Sequence, residues 1–246
     1  MNKMKGIVLA GGTATRLFPL TATTSKQLLP VYNRQMIFYP LNVLIKAGIR
    51  EILMIVSPEH SGQFLNLLGR IFERHDVRLE FKVQSVPRGL ADAFILGESF
   101  IDNDNVTMVL GDNIFHGSDL GTALKNCTNP DGGIVFAYRV NDPERYGVVE
   151  FDENHVAVSV EEKPAQAKSN FAVVGLYFYD NDVVKIAKNV QPSNRNELAI
   201  TSINEEYLRR GTLTVTTLAR VAVWLATGTL ESMTYAADYI RDTQHR

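Results

Sequence analysis

Short, continuous apolar runs alternate with segments of helical periodicity through the first half of this chain. Each run is rich in β-branched residues, as are strands that are buried on both faces of a parallel sheet. The runs predict strands at 6–9, 51–56 and 106–110, and an alternating segment predicts another at 78–83. Apolar residues at helical spacing predict helices at 36–47, 61–73 and 90–100. This β-α alternation is typical of a doubly wound α/β sheet.

Short strands follow one another closely in the second half of the chain. They are predicted at 133–138, 147–151, 156–160, 173–179 and 213–218, with helices at 182–190 and 202–210 and a last helix running through Tyr239. We therefore predict an α/β fold with a doubly wound, mostly parallel, Rossmann-like sheet and an inserted β-rich lobe that binds a sugar or another substrate and closes over a nucleotide. A length of 246 residues suits a single domain, with a first half at 1–130 and a second at 131–246.

Composition narrows the class of protein. Hydrophobic residues make up 45% and charged residues 21% of the chain, as in ordinary soluble globular enzymes. A formal net charge of −2 provides no basic field, so we expect no nucleic acid partner. The single cysteine, Cys127, excludes an intrachain disulfide and favours a reducing compartment, and the five scattered histidines lack the spacing of a zinc site. No apolar run has membrane-spanning length, and we predict a cytoplasmic protein with no membrane partner.

A glycine-rich turn directly after the first strand is the leading candidate for binding an anion. Gly11 and Gly12 allow the backbone to turn sharply and to expose consecutive N–H groups, and Arg16 adds a permanently charged guanidinium suited to phosphate oxygens. The segment matches neither the P-loop nor the dinucleotide-binding pattern. Two interpretations therefore stay open: a phosphate-binding loop, or a structural Gly-Gly turn of the kind found in any α/β domain.

Further positions carry chemistry, each with a plainer alternative. Lys26 is placed to reach a second phosphate, or is simply exposed to solvent, as most lysines are. Gln84, after a predicted strand, is suited to bind the edge of a base, unless this loop binds no ligand. Asp112 follows an apolar strand and is suited to hold a hard cation such as Mg²⁺, or to cap a helix. Glu162 and Lys163 suit a sugar hydroxyl and its phosphate, although such pairs are more often surface ion pairs.

Several motifs occur together in an order that is more specific than any one of them. They are Leu-Ala-Gly-Gly at 9–12 with Thr-Arg-Leu at 15–17, Ser-Lys-Gln-Leu-Leu-Pro-Val-Tyr at 25–32, Leu-Gly-Asp-Asn at 110–113, Asp-Pro-Glu-Arg-Tyr-Gly-Val-Val at 142–149, Glu-Glu-Lys-Pro at 161–164, Ser-Asn-Phe-Ala-Val at 169–173 with Gly-Leu-Tyr-Phe-Tyr-Asp at 175–180, and Trp-Leu at 224–225 with Thr-Gly-Thr at 227–229. In these motifs the chain resembles the sugar-phosphate nucleotidyltransferases, most closely the glucose-1-phosphate thymidylyltransferases. The resemblance covers residues 4 to 243 and is to the short members, which lack the C-terminal helices of longer ones.

The resemblance implies that dTTP reacts with glucose 1-phosphate to give dTDP-glucose and pyrophosphate, with Mg²⁺ as cofactor. It implies a nucleotide-binding half at 1–130, a sugar-binding half at 131–246, and a homo-oligomer, either a dimer or a tetramer. The nucleotide-binding residues that it implies are Gly11, Gly12, Thr13, Ala14, Thr15, Gln27, Gln84 and Gly89. The sugar-binding residues that it implies are Tyr146, Gly147, Glu162, Val174 and Tyr177. The catalytic residues that it implies are Arg16 and Lys26 on the leaving pyrophosphate, Lys163 on the sugar phosphate and Asp112 on the metal.

Several positions depart from the family pattern at functional sites, and two of them lie in the phosphate loop and the metal site. Ala14 stands where the pattern has a third glycine, and Ala226 stands where it has an aspartate that is a second Mg²⁺ ligand. Three hypotheses therefore stay open: an active thymidylyltransferase, a catalytically weakened paralogue that binds nucleotide or sugar nucleotide as a regulatory subunit, and an enzyme for another base or sugar. The residues that bear on the third are Ser85, Arg88 and Val174.

Overall fold

A computed structural model describes residues 3–12, 14–72, 76–193, 196–218 and 222–244. Its strands are β1 (Met4–Ala10), β2 (Pro30–Val31), β3 (Arg34–Gln35), β4 (Glu51–Val56), β5 (Arg78–Val83), β6 (Asn105–Leu110), β7 (Asn113–His116), β8 (Gly133–Arg139), β9 (Gly147–Phe151), β10 (Ala157–Glu162), β11 (Phe171–Tyr179), β12 (Leu213–Thr217) and β13 (Val223–Ala226). Its α-helices are α1 (Phe38–Lys46), α2 (Ser61–Phe72), α3 (Asp92–Leu96), α4 (Glu98–Ile101), α5 (Leu120–Lys125), α6 (Asp182–Asn189), α7 (Ile200–Arg209) and α8 (Leu230–Gln244).

One mixed sheet joins the two halves of the chain. Within the described ranges it has nine strands, in the order β10-β9-β11-β6-β1-β4-β5, with β8 paired to β11 and β12 paired to β8. The first-half strands β6, β1, β4 and β5 run parallel, whereas β11 is antiparallel to β6. The predicted α/β class is confirmed, and the β-rich second half extends the same sheet through the β6–β11 pair.

Both faces of the central strands are buried, which explains their largely apolar sequences. In β1, Ile7 and Leu9 pack into one hydrophobic core, and Val8 and Ala10 pack into the other. Successive side chains of a strand point to opposite faces, so two cores require an apolar residue at every position. None of the helices among the described residues has the length and apolar character needed to cross a membrane.

The helix predicted at 90–100 is interrupted and forms α3 and α4 instead. The break is at Gly97, where an added Cβ would lie 2.9 Å from the carbonyl oxygen of Ala93 and 3.0 Å from Cδ1 of Ile7. The glycine therefore allows this segment to pack closely on β1. The helix predicted at 61–73 is α2, which ends at Phe72; residue 73 lies outside the described residues.

A second, two-stranded sheet was not predicted from the sequence. It consists of β7 and β13, which pair in an antiparallel ladder with Asn113 opposite Ala226. The two strands are more than a hundred residues apart in the chain, so no local pattern indicates that they pair. Their pairing brings Ala226 to the end of β6, where Asp112 lies.

Candidate active site

A cavity of about 490 Å³ lies at the end of β6 and is bounded by β11, β13 and α7. Of the residues predicted to act in catalysis or to bind sugar, those that line it are Arg16, Asp112, Tyr146, Gly147, Glu162, Lys163 and Tyr177. These residues come from segments spread over most of the chain. The structure thus brings two of the three predicted phosphate cations and four of the five predicted sugar residues to one space, which we call the main cavity.

Asp112 is held at the edge of the main cavity by an ion pair with Lys26. The Lys26 Nζ lies 2.5 Å from Asp112 Oδ2, and the two side chains are 17% and 19% exposed. Asn113 Nδ2 donates to the other carboxylate oxygen at 2.9 Å. Burial alone would raise the pKa of the Asp112 carboxyl, but the Lys26 ammonium and the Asn113 amide outweigh it and lower that pKa. Lys26 therefore reaches the cavity through Asp112, whose carboxylate it keeps charged.

Arg16 lines the main cavity beside the segment that follows β13. A Cβ added to Gly228 would lie 3.2 Å from Arg16 Nη2, so the guanidinium passes close to the backbone beyond Ala226. Thr227 in turn anchors this segment, since its N–H and Oγ1 both donate to the Asp112 carbonyl, at 3.1 and 2.7 Å. The segment 226–228 therefore contacts the Arg16 guanidinium at Gly228 and is bonded to the backbone of Asp112 at Thr227.

The Glu162 carboxylate lies on the far wall of the cavity, where β10 ends. Thr201 Oγ1 of α7 donates to Glu162 Oε2, and Lys163 Nζ lies 3.2 Å from Glu162 Oε1. Lys163 has a left-handed backbone with φ 45°, and its N–H donates to the carbonyl of Tyr146 at 2.9 Å. A Cβ on Gly147 would lie 3.3 Å from Thr201 Oγ1, so the glycine keeps this corner of the cavity open. The arrangement provides an acceptor and a cation side by side.

Asn113 and Trp224 were not predicted as site residues, although both are buried and link the walls of the main cavity. Asn113 Oδ1 accepts from Trp224 Nε1 at 2.6 Å and from the backbone N–H of Gly175 at 3.2 Å. The ring of Tyr146 packs edge-on against Trp224, with centroids 5.3 Å apart. In the sequence, the position of Asn113 directly after Asp112, at the end of an apolar strand, was the feature that could have marked it as a site residue.

The structure corrects the predicted placement of Val174. Its side chain is fully buried in the hydrophobic core on the other face of β11, whereas Val173 and Gly175 line the main cavity. Alternation along the strand decides this, because residues 173, 175 and 177 share a face that residue 174 cannot join. Tyr177, on the cavity face, is buried, and burial together with the Glu162 and Asp112 charges raises the pKa of its phenol.

A second cavity, of about 240 Å³, lies beside the glycine turn and contains several of the predicted nucleotide residues. Gly12, Ala14 and Gln84 line it. Gly12 has φ 107°, and Ala14 has φ 47° and ψ 37°, so both adopt left-handed conformations. Such a conformation costs an alanine on the order of 1 kcal/mol relative to glycine. Ala14 thus has the left-handed backbone conformation that favours the glycine of the family pattern at this position.

The remaining predicted nucleotide residues have other surroundings. Gly11 lies against Gln84, whose Oε1 would be 3.4 Å from a Cβ at that position. Gln27 is buried and accepts from Ser25 Oγ at 2.5 Å. Thr15 is exposed at the start of a short 3₁₀ turn, and Thr13 lies outside the described residues.

Gly89 has a structural reason to be glycine, independent of any ligand. It has φ 105°, and a Cβ there would lie 2.4 Å from the carbonyl oxygen of Leu198. The neighbouring residues hold that segment in place, because the Leu198 N–H donates to the Arg88 carbonyl and the Ala91 N–H donates to the Leu198 carbonyl. Any larger residue at position 89 would push these backbones apart.

Comparison with known proteins identifies the family. A sequence model described as nucleotidyl transferase matches residues 5–243. The chain belongs to the nucleotidyl transferase family. The chain is 54% identical over 243 residues to a glucose-1-phosphate thymidylyltransferase from Neisseria gonorrhoeae, covering 98% of this chain and 84% of that protein. It is 51% identical over 243 residues to the protein of that name from Mycolicibacterium smegmatis, covering 99% and 84%.

Solved structures support the same family fold. A Bacillus anthracis structure, assigned as a glucose-1-phosphate thymidylyltransferase in complex with a sucrose, has a TM-score of 0.89 and 40% identity to this nucleotidyl transferase. The match covers 97% of this chain and 96% of that one. A UDP-glucose pyrophosphorylase in complex with UDP-glucose has a TM-score of 0.83 at 23% identity, covering 99% and 100%, and shows that the fold is shared.

In this nucleotidyl transferase, the Asp112 carboxylate supplies oxygen atoms of the kind that bind a hard cation, and it is the single protein carboxylate assigned to that role. Asp112 is charged and borders the main cavity, and Ala226, which lines the same cavity, contributes a methyl group without a donor oxygen. Across the described residues, no three His, Cys, Asp or Glu side chains are grouped to hold a metal ion. A divalent ion here would take its other ligands from phosphate oxygens and water, as Mg²⁺ often does.

Proposed function

We propose that this chain is a glucose-1-phosphate thymidylyltransferase, which joins dTTP and glucose 1-phosphate to give dTDP-glucose and pyrophosphate. The observation that carries the proposal is the main cavity, in which Arg16, Asp112 and Lys163 border the same space as Glu162. Cations for two phosphate groups thus lie beside an acceptor for sugar hydroxyls. The names of relatives at 54% and 51% identity support the choice of dTTP and glucose 1-phosphate.

The proposed reaction needs positioned charges more than a base. An anionic oxygen of the sugar phosphate attacks the α-phosphorus of dTTP, a new P–O bond forms, and the bond to the bridging oxygen breaks. Pyrophosphate leaves with the electron pair of that bond. Because the nucleophile is already ionised, catalysis reduces to in-line positioning and neutralisation of charge. Arg16 and Lys26 stabilise the leaving pyrophosphate, and Lys163 holds the attacking sugar phosphate.

The proposal divides the two halves of the chain between the two substrates. Residues 1–130 bind dTTP, with the glycine turn on the triphosphate and Gln84 on the base. Residues 131–246 bind glucose, with Glu162 accepting from sugar hydroxyls between Tyr146 and Tyr177. On β11 the residues assigned to the sugar wall are Val173 and Gly175, in place of Val174.

We also propose that turnover depends on Mg²⁺, with Asp112 as its protein ligand. When bound, the ion would neutralise charge on the phosphate oxygens. Asp112 would hold the ion, and Lys26, whose Nζ lies 2.5 Å from that carboxylate, would be available for a phosphate. We further propose that the chain forms a homo-oligomer, a dimer or a tetramer, which light scattering would test. The single cysteine suits a reaction in the cytoplasm.

Release of pyrophosphate is the direct test of the proposed function. Glucose 1-phosphate would be supplied with each of the five common nucleoside triphosphates, with and without Mg²⁺. We expect turnover with dTTP and Mg²⁺, with no product when either the sugar phosphate or the metal is omitted. If only a nucleotide other than dTTP gives turnover, the assigned base is wrong. If none of the five nucleotides gives turnover, the assignment as an enzyme is rejected.

A second candidate function is favoured by Ala226. The chain would then bind nucleotide or sugar nucleotide as a subunit of very low turnover, because its metal site retains a single carboxylate. This candidate is supported if dTTP raises the melting temperature of the protein while no nucleoside triphosphate yields pyrophosphate. Turnover at the rate of an ordinary nucleotidyltransferase would exclude it.

Replacing Glu162 with alanine should weaken binding of the sugar more than it slows the chemistry. The side chain is placed to accept from a hydroxyl group, and a hydrogen bond to a charged group contributes about 1.5–3 kcal/mol. We expect KM for glucose 1-phosphate to rise about tenfold or more, with a smaller change in kcat. Glu161→Ala removes the same charge from the neighbouring exposed position and should leave both constants unchanged. Equal effects of the two variants would contradict the sugar role of Glu162.

A further inference from the structure

The orientation of the Gln84 side-chain amide is determined by a buried carboxylate. Gln84 Nε2 donates to Asp92 Oδ2 at 2.8 Å, and both side chains are buried, with Asp92 only 1% exposed. A carboxylate accepts hydrogen bonds and donates none when ionised, so the atom of Gln84 that faces Asp92 must be the nitrogen. The amide oxygen is then the atom left for other partners.

Asp92 makes a second contact, with the guanidinium of Arg88. Arg88 Nη2 donates to Asp92 Oδ1 at 2.6 Å, forming an ion pair four residues apart. The guanidinium provides only donors, so Asp92 Oδ1 must be an acceptor. Arg88 and Gln84 therefore both donate to Asp92, each to a different oxygen of the carboxylate.

The amide oxygen of Gln84 faces the glycine turn. Oε1 lies within 3.4 Å of the position that a Cβ on Gly11 would take, and Gln84 lines the second cavity with Gly12 and Ala14. That cavity measures about 240 Å³ and is next to the turn assigned to the triphosphate. A base bound there would therefore meet a hydrogen-bond acceptor.

We propose that Asp92 is a positioning residue that presents the Gln84 carbonyl oxygen to the nucleobase, so that the site prefers a pyrimidine with a ring N–H over one without. This inference rests on the proposed function, because it places the base of the substrate in the second cavity. Thymine and uracil carry a donor at ring position N3, whereas cytosine carries an acceptor there. A site built to accept from N3–H leaves two acceptors facing each other when cytosine binds.

Replacing one carboxylate oxygen of residue 92 with an NH₂ group, in Asp92→Asn, should reverse the orientation of the Gln84 side-chain amide. In Asp92→Asn, the Arg88 guanidinium still requires an acceptor, so the Asn oxygen stays on the Arg88 side and the Asn NH₂ group faces Gln84. Gln84 must then turn its oxygen toward position 92 and its NH₂ group toward the base. The variant is expected to gain affinity for dCTP and to lose affinity for dTTP.

Dissociation constants for dTTP and dCTP, measured by calorimetry on the full chain, test the inference without requiring turnover. We expect the ratio of the dCTP to the dTTP constant to fall at least tenfold in Asp92→Asn. Asp92→Ala frees the amide without imposing the opposite orientation, so its ratio should lie between those of the wild type and Asp92→Asn. It also serves as the test if the Asn variant does not fold. Asp119→Asn, an exposed position at the start of α5, is the matched control and should retain the wild-type ratio.

The possible outcomes separate this inference from the function on which it rests. A wild type that prefers dTTP, with the same preference in both Asp92 variants, overturns the inference and leaves the proposed function standing. A wild type that binds both pyrimidine nucleotides equally also overturns it. A preference that shifts as expected in a protein that releases no pyrophosphate supports the inference and rejects the proposed enzyme activity.

Discussion

Lys26→Met is expected to reduce kcat for pyrophosphate release about a hundredfold or more. The substitution removes a cation assigned to the leaving pyrophosphate, and the loss of one preorganised donor of this kind typically costs about 10²–10³ in rate. It also leaves the Asp112 carboxylate, 19% exposed, without the ammonium that lies 2.5 Å away. An unpaired charge of this kind is costly, so the melting temperature should fall as well.

The control for Lys26 is a lysine elsewhere in the same half of the chain. Lys125→Met, at the exposed end of α5, removes the same charge far from the main cavity and should leave kcat and the melting temperature close to wild type. Lys26→Arg keeps the cation and the partner of Asp112, and it should recover part of the activity. A Lys26→Met protein with wild-type kcat would show that Lys26 serves only to hold Asp112.

The double variant Ala14→Gly with Ala226→Asp is expected to release pyrophosphate at least ten times faster than the wild type. Ala226 lies opposite Asn113 in the β7–β13 ladder and borders the same cavity as Asp112, so an aspartate there adds a second carboxylate beside the first. Two carboxylates hold Mg²⁺ more firmly than one. Ala14 has φ 47°, and glycine at that position relieves about 1 kcal/mol of backbone strain in the nucleotide turn.

Matched variants separate the two contributions. Ala14→Gly with Ala226→Asn has nearly the same shape without the added charge, and it should show little of the gain. A Mg²⁺ titration of each protein provides the second readout, and the double variant should reach half of its maximal rate at a lower Mg²⁺ concentration than the wild type. No gain in rate from the double variant would mean that these two residues do not limit turnover.

Local sequence patterns were sufficient for the parts of the fold that depend on neighbours in the chain. The nearly continuous apolar runs of β1, β4 and β6 follow from burial on both faces. The glycine turn directly follows β1, and Asp112 stands two positions after the end of β6. The left-handed conformation of Ala14 agrees with the glycine expected there, since that requirement belongs to the backbone of one residue. The roles assigned to Arg16, Lys26, Glu162 and Lys163 stay predictions.

Only the tertiary structure decided which of these residues meet. The sequence predicted Val174 as a sugar-binding residue, whereas the structure puts Val173 and Gly175 on the wall of the main cavity and Val174 in the core on the other face of β11. The Asn113–Trp224 bond joins residues that are 111 positions apart. A strand pattern specifies which residues share a face but not which strand lies beside it, because pairing depends on contacts that form across the whole chain. Those distant pairings put Ala226 beside Asp112 and gather Arg16, Lys163 and most of the predicted sugar residues around one cavity.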